Sequence, residues 1–337
     1  MKTIICAIET SCDETSVAIL SHGKLLANVV ASQTKVHASF GGVVPEMASR
    51  LHLENLDYVL KQAFQEANIT GQELTHIAVT KGPGLIGALH VGLQAAKTLA
   101  ALYQIPIIPV HHLAAHIYAN AFLEPLLFPL LALIVSGGHT QWVLMKKNLS
   151  FEVVGETVDD AMGEAYDKVA RLLELGYPGG PIIDQKAKDG QPTYPLPTPL
   201  LHDANHVSFS GLKTAVMNLV HQAKQKNSAI RVNDLCSSFQ EVATNMVVQK
   251  TKKLLQQYQI HHLVLGGGVS ANDALRTKLK LMGQSEGVHV AIPPMWCCTD
   301  QAAMIAKLAD VMIEANLIGD LSMAADASWS IEKATLI

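Results

Sequence analysis

Two histidines, His112 and His116, stand four residues apart in the run HHLAAH, directly after the apolar stretch IPIIPV. If residues 113–119 are helical, that spacing puts both rings on one face, where neutral imidazoles clamp a metal ion readily. A zinc peptidase would need glutamate immediately after the first histidine to activate water; Leu113 stands there, so peptidase chemistry is disfavoured. Far along the chain, CCTDQAAMIA places Asp300 in the first turn of a predicted helix. An acid there either complements the helix dipole or serves as a ligand. As a ligand it would complete a two-histidine, one-carboxylate set with open positions, suited to iron or zinc, provided the last helix returns to the neighbourhood of His112.

The remaining candidates are turns and single carboxylates. SGGHT, residues 136–140, joins two apolar runs and offers unobstructed amides with the Ser136 and Thr140 hydroxyls to a phosphate, or else is a plain hairpin turn. Asp13 and Glu14 lie in an earlier turn, where a carboxylate could orient a water or a nucleophile, or simply face solvent. Asp167 falls on the helical run AMGEAYDKVARLLEL, with Asp159 or Asp160 as its cap and Gly176 as its stop; it could meet a ligand or pair with Lys168 or Arg171. Asp184, after YPGGPII, could accept hydrogen bonds from ribose hydroxyls. Asn272 follows GGGVS, a place equally suited to a helix cap and to adenine or ribose contact.

The elements that must position these groups repeat. Residues 3–8, 17–20 and 24–30 read as a three-strand meander around a polar turn, and from Leu130 the order recurs as LLALIV, SGGHT, QWVLM and residues 151–154. Each meander is followed by a helical stretch and then by a strand that runs into glycines and a helix, HIAVTKGPGLIGALH in one copy and HHLVLGGGVSANDAL in the other. A twice-repeated βββαβα order predicts two facing α/β lobes with a cleft between them. A single Rossmann lobe fits worse, since the first turn joins two strands rather than a strand and a helix. The expected lobes are 1–125, completed by a C-terminal helix at 296–320, and 126–295. Pro45 with Glu46 predicts a helix from 45 to about 67, preceded by a mobile loop at 35–44, and six prolines make 177–199 an irregular excursion.

The totals narrow the class. At 337 residues two cores are natural, and five cysteines without a CxxC pair suit a reducing compartment rather than a disulfide or zinc framework. Residues 126–135, the longest apolar run, are too few to span a bilayer and contain Pro129, so a soluble, cytoplasmic protein is expected. Net charge of −4, with pI near 6.4, argues against gripping nucleic acid over the whole surface; such contact must be local or shared with a partner. Only 16% of residues are charged, which implies either surface buried against another subunit or a large core.

Taken in order, IETSCDETS, HASFGGVVPEMASRLH, KGPGLIGAL, HHLAAH, VSGGHTQ, DDAMGEAYDKVARLL, YPGGP, FSGLKTAV, LGGGVSAN and CTDQAAMIA resemble the universal tRNA threonylcarbamoyltransferase family, formerly known as O-sialoglycoprotein endopeptidases. The motifs span nearly the whole chain. The resemblance implies the duplicated α/β fold shared by actin, sugar kinases and heat-shock ATPases. It also implies transfer of threonylcarbamoyl from threonylcarbamoyl-adenylate to the exocyclic amino group of the adenosine 3′ of the anticodon, in tRNAs reading codons that begin with A, with release of AMP. Carried over by motif, His112, His116 and Asp300 hold one iron or zinc ion per subunit. Val135, Ser136, Gly137, Gly138 and His139 contact the adenylate, and Asp167, Gly180, Asp184 and Asn272 hold its nucleoside. Some members place a tyrosine metal ligand where this chain has Val135. Asp13 is our choice for proton acceptor. Implied partners are tRNA, a smaller paralogous subunit of the same fold and a small P-loop ATPase, with no membrane. An ATPase or small-molecule kinase of the same fold is the alternative.

Overall fold

A computed structural model describes residues 3–200, 203 and 205–336. The chain divides into two units, Met1–Leu126 with Pro294–Ile337, and Leu127–Pro293. The first starts with an antiparallel meander of β1 (Ile4–Glu9), β2 (Glu14–Ser21) and β3 (Lys24–Ser32). After α1 (Thr34–Ala38) and α2 (Pro45–Ala67), β4 (His76–Gly82) pairs parallel with β1. The helix α3 (Ile86–Tyr103) then crosses to β5 (Ile107–His111), and α4 (His112–Tyr118) follows with no intervening residue. The sheet order is β3-β2-β1-β4-β5.

The second unit repeats the plan. Its meander is β6 (Leu130–Val135), β7 (Thr140–Met145) and β8 (Glu152–Thr157), followed by α5 (Met162–Leu172) and α6 (Gly179–Lys188). A two-residue strand β9 (His206–Val207) lies on the free side of β8, and α7 (Ser210–Gln225) and the long α8 (Val232–Tyr258) lead to β10 (His262–Gly266). After α9 (Asp273–Glu286), β11 (His289–Ala291) completes the order β11-β10-β6-β7-β8-β9. With β9 set aside, this matches the first sheet strand for strand. Its core joins Leu131, Leu133, Val135 and Trp142 to Phe239 and Val247 of α8, and the Trp142 indole N–H finds Thr251 Oγ1 at 2.8 Å.

The chain then returns to the first unit as α10 (Ala302–Glu314), a helix of small and aliphatic residues packed on β1, β2, β5 and α4. Because β1 is buried along its whole length, both its faces must be covered. Cys6 and Ile8 pack with Val59 of α2 and Leu93 of α3, and α10 also lies against the strand. All five cysteines are free. Among the described residues, no helix is long and apolar enough to cross a membrane.

Several expectations need correction. The helix at 45–67 forms as read, but 35–44 is not all loop, since it contains most of α1. The proline-rich stretch from Tyr177 is not wholly irregular: α6 occupies Gly179–Lys188, because Pro181 falls in the first turn, where its missing N–H leaves no bond unmade. Neither Asp159 nor Asp160 caps α5, whose cap is Ala161. Asp160 pairs with Lys168 at 2.7 Å and Lys213 at 2.5 Å. Asp159 instead reaches the start of α7, accepting from Phe209 N at 2.8 Å and Ser210 N at 3.2 Å. Asp159→Ala should therefore lower unfolding stability by about 1 kcal/mol, the usual cost of a lost cap, measured by chemical denaturation.

Candidate functional site

The helix α4 begins at His112 and is capped by the preceding residue, whose ring nitrogen Nδ1 accepts from Ala114 N. His112 and His116 lie on one face, both buried, with ring centroids 4.8 Å apart and edge to face. Asp300 meets them: its Oδ1 is 3.1 Å from His116 Nε2 and 3.6 Å from His112 Nε2. Asp300 does not, however, sit in the first turn of the last helix as expected. The cap of α10 is Gln301, and the first amides of the helix are taken by other strands, Ala302 N by Ser16 Oγ at 2.9 Å and Ala303 N by Asn28 Oδ1 at 3.1 Å. The carboxylate is thereby spared from capping.

Behind the histidines lies a carboxylate that sequence reasoning did not select. Glu9 ends β1 fully buried, accepting from Ser11 N and Thr80 Oγ1, each at 2.5 Å. His112 Nδ1 is 3.1 Å from Glu9 Oε2 and 3.1 Å from Ser11 Oγ. The Nδ1 proton is thus held by Glu9, which leaves Nε2 toward Asp300 as the nitrogen available to a ligand. The one signal in the sequence was an acid closing an otherwise apolar strand, IICAIE.

The charges are arranged for a cation. Burial alone would lower the His112 pKa, but the Glu9 and Asp300 carboxylates reverse this and bring it to about 9. Burial would raise Glu9, and the His112 charge and hydrogen bond outweigh it, so the carboxyl stays below its ordinary value. Asp13, in the turn between β1 and β2, is raised by burial and then by the Asp300 charge. Burial likewise lifts Glu14 to about 8, opposed by its bond from Ser32 and reinforced by Asp13 and Asp300. Carboxylates that push one another up in this way are relieved by a bound cation. His112, His116 and Asp300 offer one ligand atom each, all within 4.8 Å of one another, and this donor set fits a divalent metal.

The second unit holds the other candidates. The β6–β7 turn closes on itself, Ser136 N donating to His139 O at 2.8 Å and His139 N to Ser136 Oγ at 3.0 Å. Gly137 and Gly138 are not in the left-handed region, and a Cβ on either would meet nothing within 4 Å. Neither torsion nor packing asks for glycine there, and the same holds at Gly180 and Gly268. Around them are glycines that packing does require. A Cβ at Gly163 would lie 2.7 Å from Ser136 O, at Gly179 2.7 Å from Asp167 Cα, and at Gly267 2.4 Å from Val135 O. These close approaches seat α5 and the end of β10 against the turn and α6 against α5, and they leave Gly137 and Gly138 exposed with open space beside them, where a phosphate could approach the main chain.

Each carboxylate here has a structural partner. Asp167 Oδ1 accepts from Gly179 N at 2.7 Å, fixing the start of α6, and Asp184 Oδ1 accepts from Asn272 Nδ2 at 3.1 Å. Asn272 takes the capping role, accepting from Leu275 N at 2.8 Å, while its Nδ2 also reaches Gln240 Oε1 at 2.9 Å. The Val135 side chain lies in the core, so only its main chain can face a ligand. A cavity of about 190 Å³ lined by Glu152, Glu156, Asn205, His206 and Tyr258 contains none of these residues.

Comparison with known proteins bears on what these sites serve. Residues 24–307 match the family model described as tRNA N6-adenosine threonylcarbamoyltransferase. A protein of that name from Bacillus cereus is 51% identical over 334 residues, covering 98% of this chain and 97% of the relative. One from Bacillus subtilis is 50% identical over 322 residues, with 95% and 93% covered. The chain belongs to the tRNA N6-adenosine threonylcarbamoyltransferase family.

Solved structures show how widely the fold is shared. HypF from T. kodakarensis aligns with a TM-score of 0.65 at 11% identity, covering 93% of this chain and 48% of that one. The Clostridium difficile activator of 2-hydroxyisocaproyl-CoA dehydratase, with bound ADPNP, aligns with a TM-score of 0.54 at 14% identity, covering 94% and 97%. These structures share the fold of this chain, the duplicated α/β fold that the family resemblance implied, and the strand order is duplicated as read.

A metal held by His112, His116 and Asp300 would bind with a pH dependence set by this geometry. Below about pH 9 His112 carries a proton that a metal must displace, so apparent affinity should rise with pH and level off above about 9. Glu9→Gln removes the carboxylate that raises this pKa. It should weaken affinity about 10- to 100-fold and move the levelling point downward, as read by chelator competition across the neutral to alkaline range.

Proposed function

We propose that this chain transfers the threonylcarbamoyl group of threonylcarbamoyl-adenylate to the exocyclic amino group of the adenosine 3′ of the anticodon, in tRNAs reading ANN codons, releasing AMP. The observation that carries this reading is family membership over nearly the full chain together with the three-ligand cluster backed by Glu9. His112, His116 and Asp300 hold one iron or zinc ion, since two imidazoles and a carboxylate suit those metals better than magnesium. When bound, the metal supplies positive charge to the phosphate or carbamoyl oxygens, stabilising the leaving AMP.

The chain's own residues do the rest. An adenine amino group is a weak nucleophile because its lone pair is delocalised into the ring, so the acceptor carbon must arrive activated and held in line. The mixed anhydride provides the activation. The exposed amides at Gly137 and Gly138 bind the adenylate phosphate, with Ser136 and His139 closing their turn. Asp184 receives ribose hydroxyls, while Asp167, Gly180 and Asn272 position the nucleoside through the α6 and α9 termini. As nitrogen attacks the carbamoyl carbon, the carbon–oxygen bond to phosphate breaks, AMP departs with the electron pair, and the amino proton passes to Asp13. A carboxylate made more basic by burial is suited to that task.

The chain works in the cytoplasm with a smaller paralogous subunit and a small P-loop ATPase, which agrees with its low charged fraction and absence of strong positive charge. An ATPase or kinase of the same fold would hold magnesium through carboxylates and water, which the paired imidazoles do not favour. Transfer of labelled threonine from the adenylate to tRNA, with partners supplied, tests the reading. Asp300→Ala should abolish transfer with the fold intact, and Asp13→Asn should lower kcat by about 100-fold or more with little change in metal content. Adenylate-independent ATP hydrolysis with no transfer by the wild type would overturn it.

A further inference from the structure

The segment after α10 runs back against β5, the end of β4 and the turn that follows it, beside α4, which carries His112 and His116. Gly319 N donates to Ile107 O of β5 at 2.9 Å. Asp326 N donates to Lys81 O at the end of β4 at 3.0 Å, and Gly84 N donates to Ala327 O at 3.2 Å. A Cβ on Gly82 would lie 1.9 Å from Asp326 O, so the approach requires glycine there. Trp329 is buried against these elements, its ring centroid 5.0 Å from that of His111 and the Lys81 ammonium 4.5 Å above it.

The decisive contact is His111 Nε2 to Trp329 O, at 2.8 Å. A carbonyl only accepts, so Nε2 must carry the proton, and a neutral imidazole then has its lone pair on Nδ1. That lone pair accepts the Ala114 N–H at the first turn of α4, the helix bearing His112 and His116. The other tautomer would turn an N–H toward the Ala114 amide and leave the Trp329 carbonyl without a donor. The same tail also bonds Lys81, the residue after Thr80, whose hydroxyl holds Glu9.

We propose that residues 319–336 form a brace for the metal centre, in which the Trp329 carbonyl selects the His111 tautomer that caps α4 and so positions His112 and His116. His111 and Trp329 are positioning residues, and the inference rests on the reading that the two histidines hold a metal. Because the brace acts through His111, its effect disappears once the cap no longer depends on it. Asparagine at 111 caps a helix with no help from Trp329.

The test is a cycle on full-length, zinc-loaded protein, reading zinc release to a chelator and, in the metal-free protein, hydrogen exchange of the Ala114 amide. Deletion of residues 329–337 should speed both by about five-fold, the size of one helix cap. In a His111→Asn background the same deletion should leave both rates nearly unchanged. Should the deletion fail to fold, Gly82→Ala, whose added methyl group must push the Asp326 carbonyl and the tail away from β4, serves in the same two backgrounds. Equal acceleration in both backgrounds would show the tail to be a general stabiliser and overturn the proposal, as would no acceleration in either. Wild type that takes up no zinc would sink the metal reading alone, since Ala114 exchange still decides the brace.

Discussion

A carboxylate sealed from water at the end of β1 is the constraint on which the first unit's chemistry depends. Burying Glu9 ionised would be prohibitive without partners, and three elements supply them: the Ser11 amide from the β1–β2 turn, the Thr80 hydroxyl from β4, and the His112 ring from α4. Satisfying that one group pins the strand order β1-β4-β5 and the start of α4 to a common point. It also decides which nitrogen of His112 looks outward. Asp300 then needs only to be delivered opposite, and α10 delivers it because Ser16 and Asn28 take the amides that an acid at a helix start would otherwise occupy.

The second unit works by a different economy, in which glycines play two distinct roles. Gly163, Gly179 and Gly267 let backbone approach backbone, and a methyl group at any of them would collide with a main-chain atom. Gly137, Gly138, Gly180 and Gly268 border open space, so packing does not account for their lack of a side chain. Close packing by the first group holds the main chain of the second beside that open space. The capping of α9 by Asn272 and the tie from Asp167 to Gly179 hold that surface rigid before any ligand arrives.

How much of this could be read from the chain follows from the range of the interactions involved. The HHLAAH pair, the helix starting at Pro45 and the two meanders were legible because each depends on neighbours within a turn or a strand. Glu9 was not, since its role comes from His112, 103 residues away. The acceptors for the first amides of α10 likewise come from β2 and β3, more than 270 residues earlier, so an acid beside the helix was taken for part of its first turn. Asp159 was assigned to the helix next to it and serves one 50 residues on. In 177–199 the prolines masked α6, because proline is a breaker inside a helix and acceptable in its first turn. The tail's hold on His111 left no trace in any local pattern.

If Glu9 sets the orientation of His112, the metal must follow from it. Anomalous diffraction at the metal absorption edge, on crystals of the loaded protein, should place one peak in contact with His112 Nε2, His116 and Asp300, with His112 Nδ1 still bonded to Glu9. A peak ligated by His112 Nδ1 with the ring turned away from Glu9, or one remote from these three residues, would contradict the account.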